Sequence, residues 1–284
     1  MNEVVFLGYT QAELDRNFDQ RAWAPNAEQV IARCTDLSHA TRARVPHRSS
    51  IPYGPHPQEM LDVFPAAAGH ATQIFVHGGR WLSFTKEDYS FVADAFLPAA
   101  MHTVVLNFAK LPAVRLPDMV EQVRRGVEWV YRNARSFGGD PDALYLLGHS
   151  SGAHLAALAL LTDWQARGMP PDAIKAATCV SGAYDLEPVM LSARSAYIRL
   201  GPQEVHALSP QRHAAHVSCP VLLACAGGDT DEFKRQSREF AAALRAAGRL
   251  AGLLCVERLN HFEIMQSLGD PAGEVIAAAR ALVR

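Results

Sequence analysis

The sequence predicts an α/β protein, with one mostly parallel sheet covered on both faces by helices. Two observations carry this expectation. Short apolar runs rich in strand formers alternate with helix-length amphipathic stretches, the pattern of parallel strands joined by crossover helices. The 284 residues are 49% hydrophobic, and no internal repeat or low-complexity linker divides the core they can form. Residues 1–284 are therefore read as one domain.

Taken in order, residues 9–33 read as a polar, helical N-terminal segment opened by a capping box of Thr10 and Glu13. Pro46, Pro52, Gly54, Pro55 and Pro57 make residues 45–57 a loop, so 1–57 precede the sheet as an extension. Strands are expected at Met60–Phe64, Gln73–Val76 and Thr103–Phe108. From Asp118 to Ala134 the apolar residues Met119, Val123, Val127 and Val130 share one helical face, with Arg124, Arg125, Glu128 and Arg132 opposite. A Gly138-Gly139-Asp140-Pro141 turn leads into a strand beginning near Leu144. Further strands are expected at 176–180, 221–226 and 253–256. Between the last two runs a helix carrying Phe233, Phe240 and Leu244, ended by Gly248, and a final helix from Pro271 complete the alternation. Residues 186–216 read as an irregular insertion, of the kind that forms a small cap above a site.

The chemistry centres on Gly148-His149-Ser150-Ser151-Gly152, a Gly-x-Ser-x-Gly set between an apolar strand and an apolar helix. That context is a nucleophile elbow: a serine held on a strained turn, with glycines where side chains would collide. Ser150 is the expected nucleophile. Ser151 is the rival serine but lies off the motif's centre; its amide is placed to face an oxyanion.

A serine hydroxyl needs a base, and the base an orienting acid. Among twelve histidines, His261 follows the last strand, at the end of the sheet where ligands gather. His39, His47, His56, His70, His102, His206, His213 and His216 fall in polar loops or at helix ends, and His154 reads as packing. Asp229 ends the run that starts at Val221 and gives the chain order Ser, Asp, His of this architecture. Asp231 and Glu232 are rivals that open the next helix, and Asp185 is a further rival. The amide donors for the oxyanion are expected in His77-Gly78-Gly79-Arg80-Trp81, directly after a strand: Gly79 first, Gly78 in support, with His77 bracing the loop. Trp81, Phe84 and Tyr184 are candidates for an aromatic wall, with ordinary core packing the alternative.

These motifs resemble the α/β-hydrolase superfamily, and within it the arylformamidase (kynurenine formamidase) group. The resemblance runs from the Tyr9-Thr10 to Arg21 segment through Tyr53-Gly54, His77-Gly78-Gly79-x-Trp81 and the elbow. It ends in Glu232-Phe233-x-Arg235-Gln236-Ser237 and His261-Phe262-Glu263-Ile264, its most specific parts. It implies an α/β-hydrolase fold with the acid at Asp229 and the base at His261. The group has Tyr where this chain has Arg80, which either pairs with a substrate carboxylate or points to solvent.

The expected activity is that of a cofactor-free serine hydrolase cleaving an aryl formamide, N-formyl-L-kynurenine foremost. A hormone-sensitive-lipase-type carboxylesterase is the alternative, and a non-catalytic ligand-binding relative the reading from another class. No metal is expected, since no His-x-x-x-His pair or clustered carboxylates of ligand type appear in a helix. A net charge of −2, without a like-charged block, excludes nucleic acid and anionic membrane as natural partners, leaving a small-molecule substrate; a homo-oligomer is compatible with the sequence. Five scattered cysteines without a Cys-x-x-Cys pair read as buried reduced thiols. With no leader at Met1-Asn2-Glu3 and no membrane-length apolar run, a cytoplasmic protein is expected.

Overall fold

The computed structural model describes residues 3–67 and 70–283; the first two residues of the stretch read as leader-free lie outside them. The strands are β1 (Val4–Phe6), β2 (Tyr9–Thr10), β3 (Arg48–Pro52), β4 (Met60–Phe64), β5 (Thr72–Val76), β6 (His102–Leu106), β7 (Leu144–His149), β8 (Ile174–Val180), β9 (Val221–Gly228) and β10 (Leu250–Asn260). β1 and β2 form a small hairpin. The other eight make one sheet in the order β10-β9-β8-β7-β5-β6-β4-β3, antiparallel only at β4 and β3.

The helices are α1 (Gln11–Asn17), α2 (Ala27–Arg44), α3 (Ala93–Phe96), α4 (Leu116–Asn133), α5 (Ser151–Ala159), α6 (Leu186–Leu191), α7 (Ser195–Ile198), α8 (Pro202–Ala207), α9 (Asp231–Ala246), α10 (His261–Ser267) and α11 (Glu274–Arg280). Alternate residues of each central strand feed two cores. Ile74, Val76, Leu144 and Leu146 meet α4, α5 and α9 on one face. Phe75, Leu147, Ala224 and Ala226 meet α2, α3, α10 and α11 on the other. This is the α/β-hydrolase arrangement: mostly parallel strands buried on both faces.

Some elements differ from their expected form. The proline-rich stretch 45–57 contains β3, an edge strand ending in Pro52, where a missing N–H breaks no interior ladder. Residues 9–33 are not one helix. The Thr10–Glu13 capping box starts α1, a 3₁₀ turn at Gln20–Trp23 follows, and α2 begins only at Ala27. α4 starts two residues early because Pro117 suits a first turn and Asp118 accepts from the Arg115 amide. The insertion 186–216 is built from α6, α7, α8 and a 3₁₀ segment at Pro210–His216. His102 is buried at the start of β6 rather than solvated, and Cys255 is exposed on edge strand β10 while the other four thiols are buried. Among the described residues, no helix is long and apolar enough to cross a membrane.

The connections place the chemistry. β5 leads to β6 on one side, and the chain then returns to lay β7 on the other side of β5. The carboxyl ends of β5 and β7 therefore flank a topological switch point, where the loops part and a crevice opens.

Candidate active site

Ser150 sits at that crevice on the turn from β7 into α5. Its backbone has φ 55° and ψ −124°, a conformation that costs a serine roughly 1–3 kcal/mol and persists only where its surroundings hold it. The holding is visible. The Ser150 amide donates to Val180 O at 2.8 Å. A Cβ on Gly148 would lie 2.4 Å from Gly152 O, and one on Gly152 would lie 2.1 Å from Val76 O. The two glycines thus let α5 press onto the ends of β7 and β5.

His261 is the first residue of α10. Asn260 caps that helix, accepting from the Phe262 and Glu263 amides at 3.0 Å each. Glu263 accepts from the Asn260 amide at 2.9 Å and from Asn26 Nδ2 at 2.9 Å, and Asn260 Nδ2 donates to Asn26 Oδ1 at 2.8 Å. His261 is therefore tied to the start of α2, which gives the His261-Phe262-Glu263 motif a physical purpose. Phe233, from the other specific motif, presses its ring against His261 at 5.4 Å and 85°.

Ser150, His261 and Asp229 form one hydrogen-bonded chain. Asp229 Oδ1 lies 2.6 Å from His261 Nδ1, and His261 Nε2 lies 3.0 Å from Ser150 Oγ. All three are buried, at 1%, 4% and 6% exposure in the order Asp, His, Ser. Burial alone would raise the Asp229 carboxyl. The charge and hydrogen bond of His261, with donors from Ser181 and the Ala226 amide, outweigh it and hold the pKa below the ordinary value. The carboxylate is ionised and only accepts, so the proton shared with His261 sits on Nδ1, and Nε2 is the ring nitrogen that faces the serine hydroxyl. The rivals lie elsewhere. Asp185 caps α6 and pairs with Arg212 at 2.9 Å. Asp231 pairs with Lys234, and Glu232 with Arg235.

The Gly78–Trp81 loop packs directly on the elbow. A Cβ on Gly78 would lie 2.9 Å from His149 O and 3.1 Å from Ser150 Cβ. Gly79 has φ +120°, and a Cβ there would lie 2.1 Å from Ser83 O, so no other residue fits. The Trp81 amide donates to Ser151 Oγ at 3.2 Å, which ties the two candidate donor loops together and turns Ser151's side chain away from the nucleophile's role. His77 braces the loop from beneath, its ring stacked on Phe108 at 4.4 Å and its Nδ1 donating to Gly78 O at 2.8 Å. Burial lowers its pKa to about 4, so it is neutral.

A cleft opens over Ser150. Phe84, Tyr89, Phe262 and Met265 form its apolar wall, and Arg80 also lines it. Two residues expected at the substrate lie in the core instead. Tyr184 is fully buried with its ring 4.6 Å from Phe240, because Gln236 Oε1 captures the Tyr184 and Asp185 amides and folds the chain inward. Trp81 is 2% exposed, packed edge-on against His154 at 5.4 Å and beneath Arg194 at 5.9 Å.

Other lining residues had no separate reading in the sequence. Asp19, Gln20 and Arg21 form a wall of the cleft, so the N-terminal segment is part of the site; the only signal for them was the resemblance ending at Arg21. His149 also lines it, buried at 2% exposure. Its Nε2 lies 3.2 Å from the His261 carbonyl, which can only accept, so that nitrogen holds the proton. Burial and the His261 charge lower its pKa to about 3. Among the described residues, no group of three or more His, Cys, Asp or Glu is arranged to hold a metal ion.

Comparison with known proteins agrees with this architecture. The BD-FAE family model matches residues 61–244. The chain is 33% identical over 272 residues to the kynurenine formamidase of Danio rerio, covering 91% of each. It is 31% identical over 263 residues to esterase LipQ of Mycobacterium tuberculosis, covering 82% of this chain and 62% of that one. In fold it is similar to an esterase of Pyrobaculum calidifontis, with a TM-score of 0.72 at 18% identity over 92% of each chain. With this sheet, this elbow and these relatives, the chain belongs to the BD-FAE family and is an arylformamidase-like serine hydrolase of the α/β-hydrolase fold.

Proposed function

We propose that the protein hydrolyses aryl formamides, with N-formyl-L-kynurenine the leading substrate, through Ser150, His261 and Asp229. The carrying observation is the continuous hydrogen-bonded path from Asp229 Oδ1 through His261 to Ser150 Oγ. Ser150 Oγ attacks the formyl carbon as its proton passes to His261 Nε2. Asp229 holds the ring in the required tautomer and stabilises the imidazolium. The amides of Gly79 and Ser151, with Gly78 in support, receive the oxyanion, each donor contributing about 10²–10³ in rate. His261 then protonates the departing aniline nitrogen, the C–N bond breaks, and a formyl-serine remains. Water, deprotonated by His261, releases formate and restores the serine. The reaction needs no cofactor, and a cytoplasmic setting suits its thiols.

The formamidase relatives, matched over 91% of their length, support the formyl group. The esterase relative favours a second reading, a carboxylesterase for short esters, since the same attack and oxyanion serve both. Comparing kcat/KM for formylkynurenine with that for short p-nitrophenyl esters separates them: formamidase activity predicts the formamide ahead. Ser150→Ala must abolish turnover and fluorophosphonate labelling while keeping the fold. A variant retaining near-full activity would overturn the mechanism.

A further inference from the structure

Arg80 and Asp19 line two hollows at once: the cleft over Ser150 and a neighbouring space bounded also by Phe18, Ser192, Arg194 and Tyr197. The two carry opposite charges, yet no ion pair within 4.0 Å joins them. Among the described residues, neither side chain has a hydrogen bond or ion pair of its own. Arg80 has a left-handed backbone (φ 57°) on the Gly79–Trp81 loop.

The rest of this second space is short of negative charge. Arg194 is buried at 6% exposure. Its Nε and Nη2 donate to Phe18 O, and Nη2 also to Gln20 Oε1 at 2.6 Å, all neutral oxygens. Its guanidinium lies over the rings of Phe18, Trp81 and Phe233 at 5.4, 5.9 and 6.0 Å, with no carboxylate in contact. The Tyr197 hydroxyl is buried without any hydrogen-bond partner, an arrangement that a folded protein seldom keeps unless something else satisfies it. Asp15 also borders the space, but its Oδ1 is occupied by Gln11 Nε2 at 3.0 Å and the Ala193 amide at 2.6 Å.

We propose that this second space is the subsite for a zwitterionic α-amino-acid arm on the substrate. The arm's carboxylate meets the Arg80 guanidinium and the Tyr197 hydroxyl, and its ammonium meets the Asp19 carboxylate. The aromatic ring and its acyl-amide stay in the cleft over Ser150. Charged side chains of both signs that sit in no ion pair, Asp19 acting on Arg194 only through space, suit a ligand carrying the complementary pair. The subsite deepens the proposed function and rests on Ser150 as the nucleophile of the adjoining cleft.

The test uses four formamides that share one ring: L-formylkynurenine, its decarboxylated amine (formylkynuramine), its des-amino acid, and 2′-formamidoacetophenone, which lacks the arm. The wild-type protein should favour L-formylkynurenine over the armless compound by about 10²-fold in kcat/KM, as expected where polar groups are otherwise left unpaired. Arg80→Met should reduce the preference for carboxylate-bearing over carboxylate-free substrates by about tenfold or more, with Arg80→Lys recovering part of it and Tyr197→Phe costing several-fold. Asp19→Asn should reduce only the preference for amine-bearing substrates. The same ratios read as Kd for L-kynurenine against 2′-aminoacetophenone judge the subsite without turnover. Unchanged preference in Arg80→Met, in turnover or in binding, overturns the subsite. If no formamide is cleaved while p-nitrophenyl acetate is, the formamidase reading fails, and the binding ratios alone decide the subsite.

Discussion

Ser181 Oγ donates to Asp229 Oδ2 at 2.6 Å, on the carboxylate oxygen that His261 does not use. The Ala226 amide donates to the same oxygen at 2.8 Å. The acid is thus fixed from both sides, one oxygen toward the ring and the other toward the ends of β8 and β9.

Removing that support gives the first prediction. Ser181→Ala leaves one donor on Oδ2, so the carboxylate gains freedom and its pKa rises from its depressed value. Turnover should fall by about tenfold with KM little changed, because a buried charge-assisted hydrogen bond is worth about 1.5–3 kcal/mol. The acid limb of the kcat profile should move to higher pH, and steady-state kinetics across pH reads both effects.

Gly152 gives the second. A methyl group there meets Val76 O at 2.1 Å and His77 O at 2.4 Å, both backbone atoms that cannot swing aside. Gly152→Ala must push α5 off the sheet and move Ser150 with it. A stability loss of about 1–3 kcal/mol is expected from overpacking alone, seen as a lower Tm, with a larger proportional loss of kcat. An unchanged Tm would contradict the close approach.

Acid sensitivity gives the third. Burial lowers the pKa of His77 and His154 to about 4 and that of His149 to about 3. In the unfolded chain an imidazole takes its proton near pH 6.5. As pH falls the unfolded state therefore binds these protons first. Stability should be complete above about pH 6.5 and decline toward 4, by about 1.4 kcal/mol per pH unit for each ring. The Asp229 carboxylate adds a loss only at still lower pH, since its folded pKa lies below the ordinary carboxyl value. Urea unfolding at several pH values measures the slope, and His154→Gln should remove one ring's share.

The front of the site gives the fourth. Arg194 joins the N-terminal segment to the 186–216 insertion through Phe18 O and Gln20 Oε1. Arg194→Leu leaves those oxygens without donors and should loosen the wall at Asp19–Arg21. Raised KM with kcat less affected, and faster amide exchange at residues 18–23, are the expected readings.

Much of this architecture was legible in the order of residues, for local reasons. A strand buried on both faces writes itself as an apolar run, and a serine between two obligatory glycines marks its own turn. β3 was not legible, because this edge strand is paired on one side only and mostly exposed, so it carries no apolar run, and its prolines imitate a loop. Tyr184 and Trp81 were misplaced because an aromatic residue at a strand end looks the same whether its ring turns inward or toward a ligand. Asp19, Gln20 and Arg21 escaped because their role depends on docking against segments more than a hundred residues away, and charged residues in a polar stretch carry no mark of that.

The cleft is walled by Asp19–Arg21 and by His261–Phe262 together, and the Asn26–Glu263 bond joins residues 237 apart. In chain order Ser150 therefore precedes the ring it is bonded to by 111 residues, and the cleft around it closes only when the segment at His261–Phe262 docks against residues 19–26.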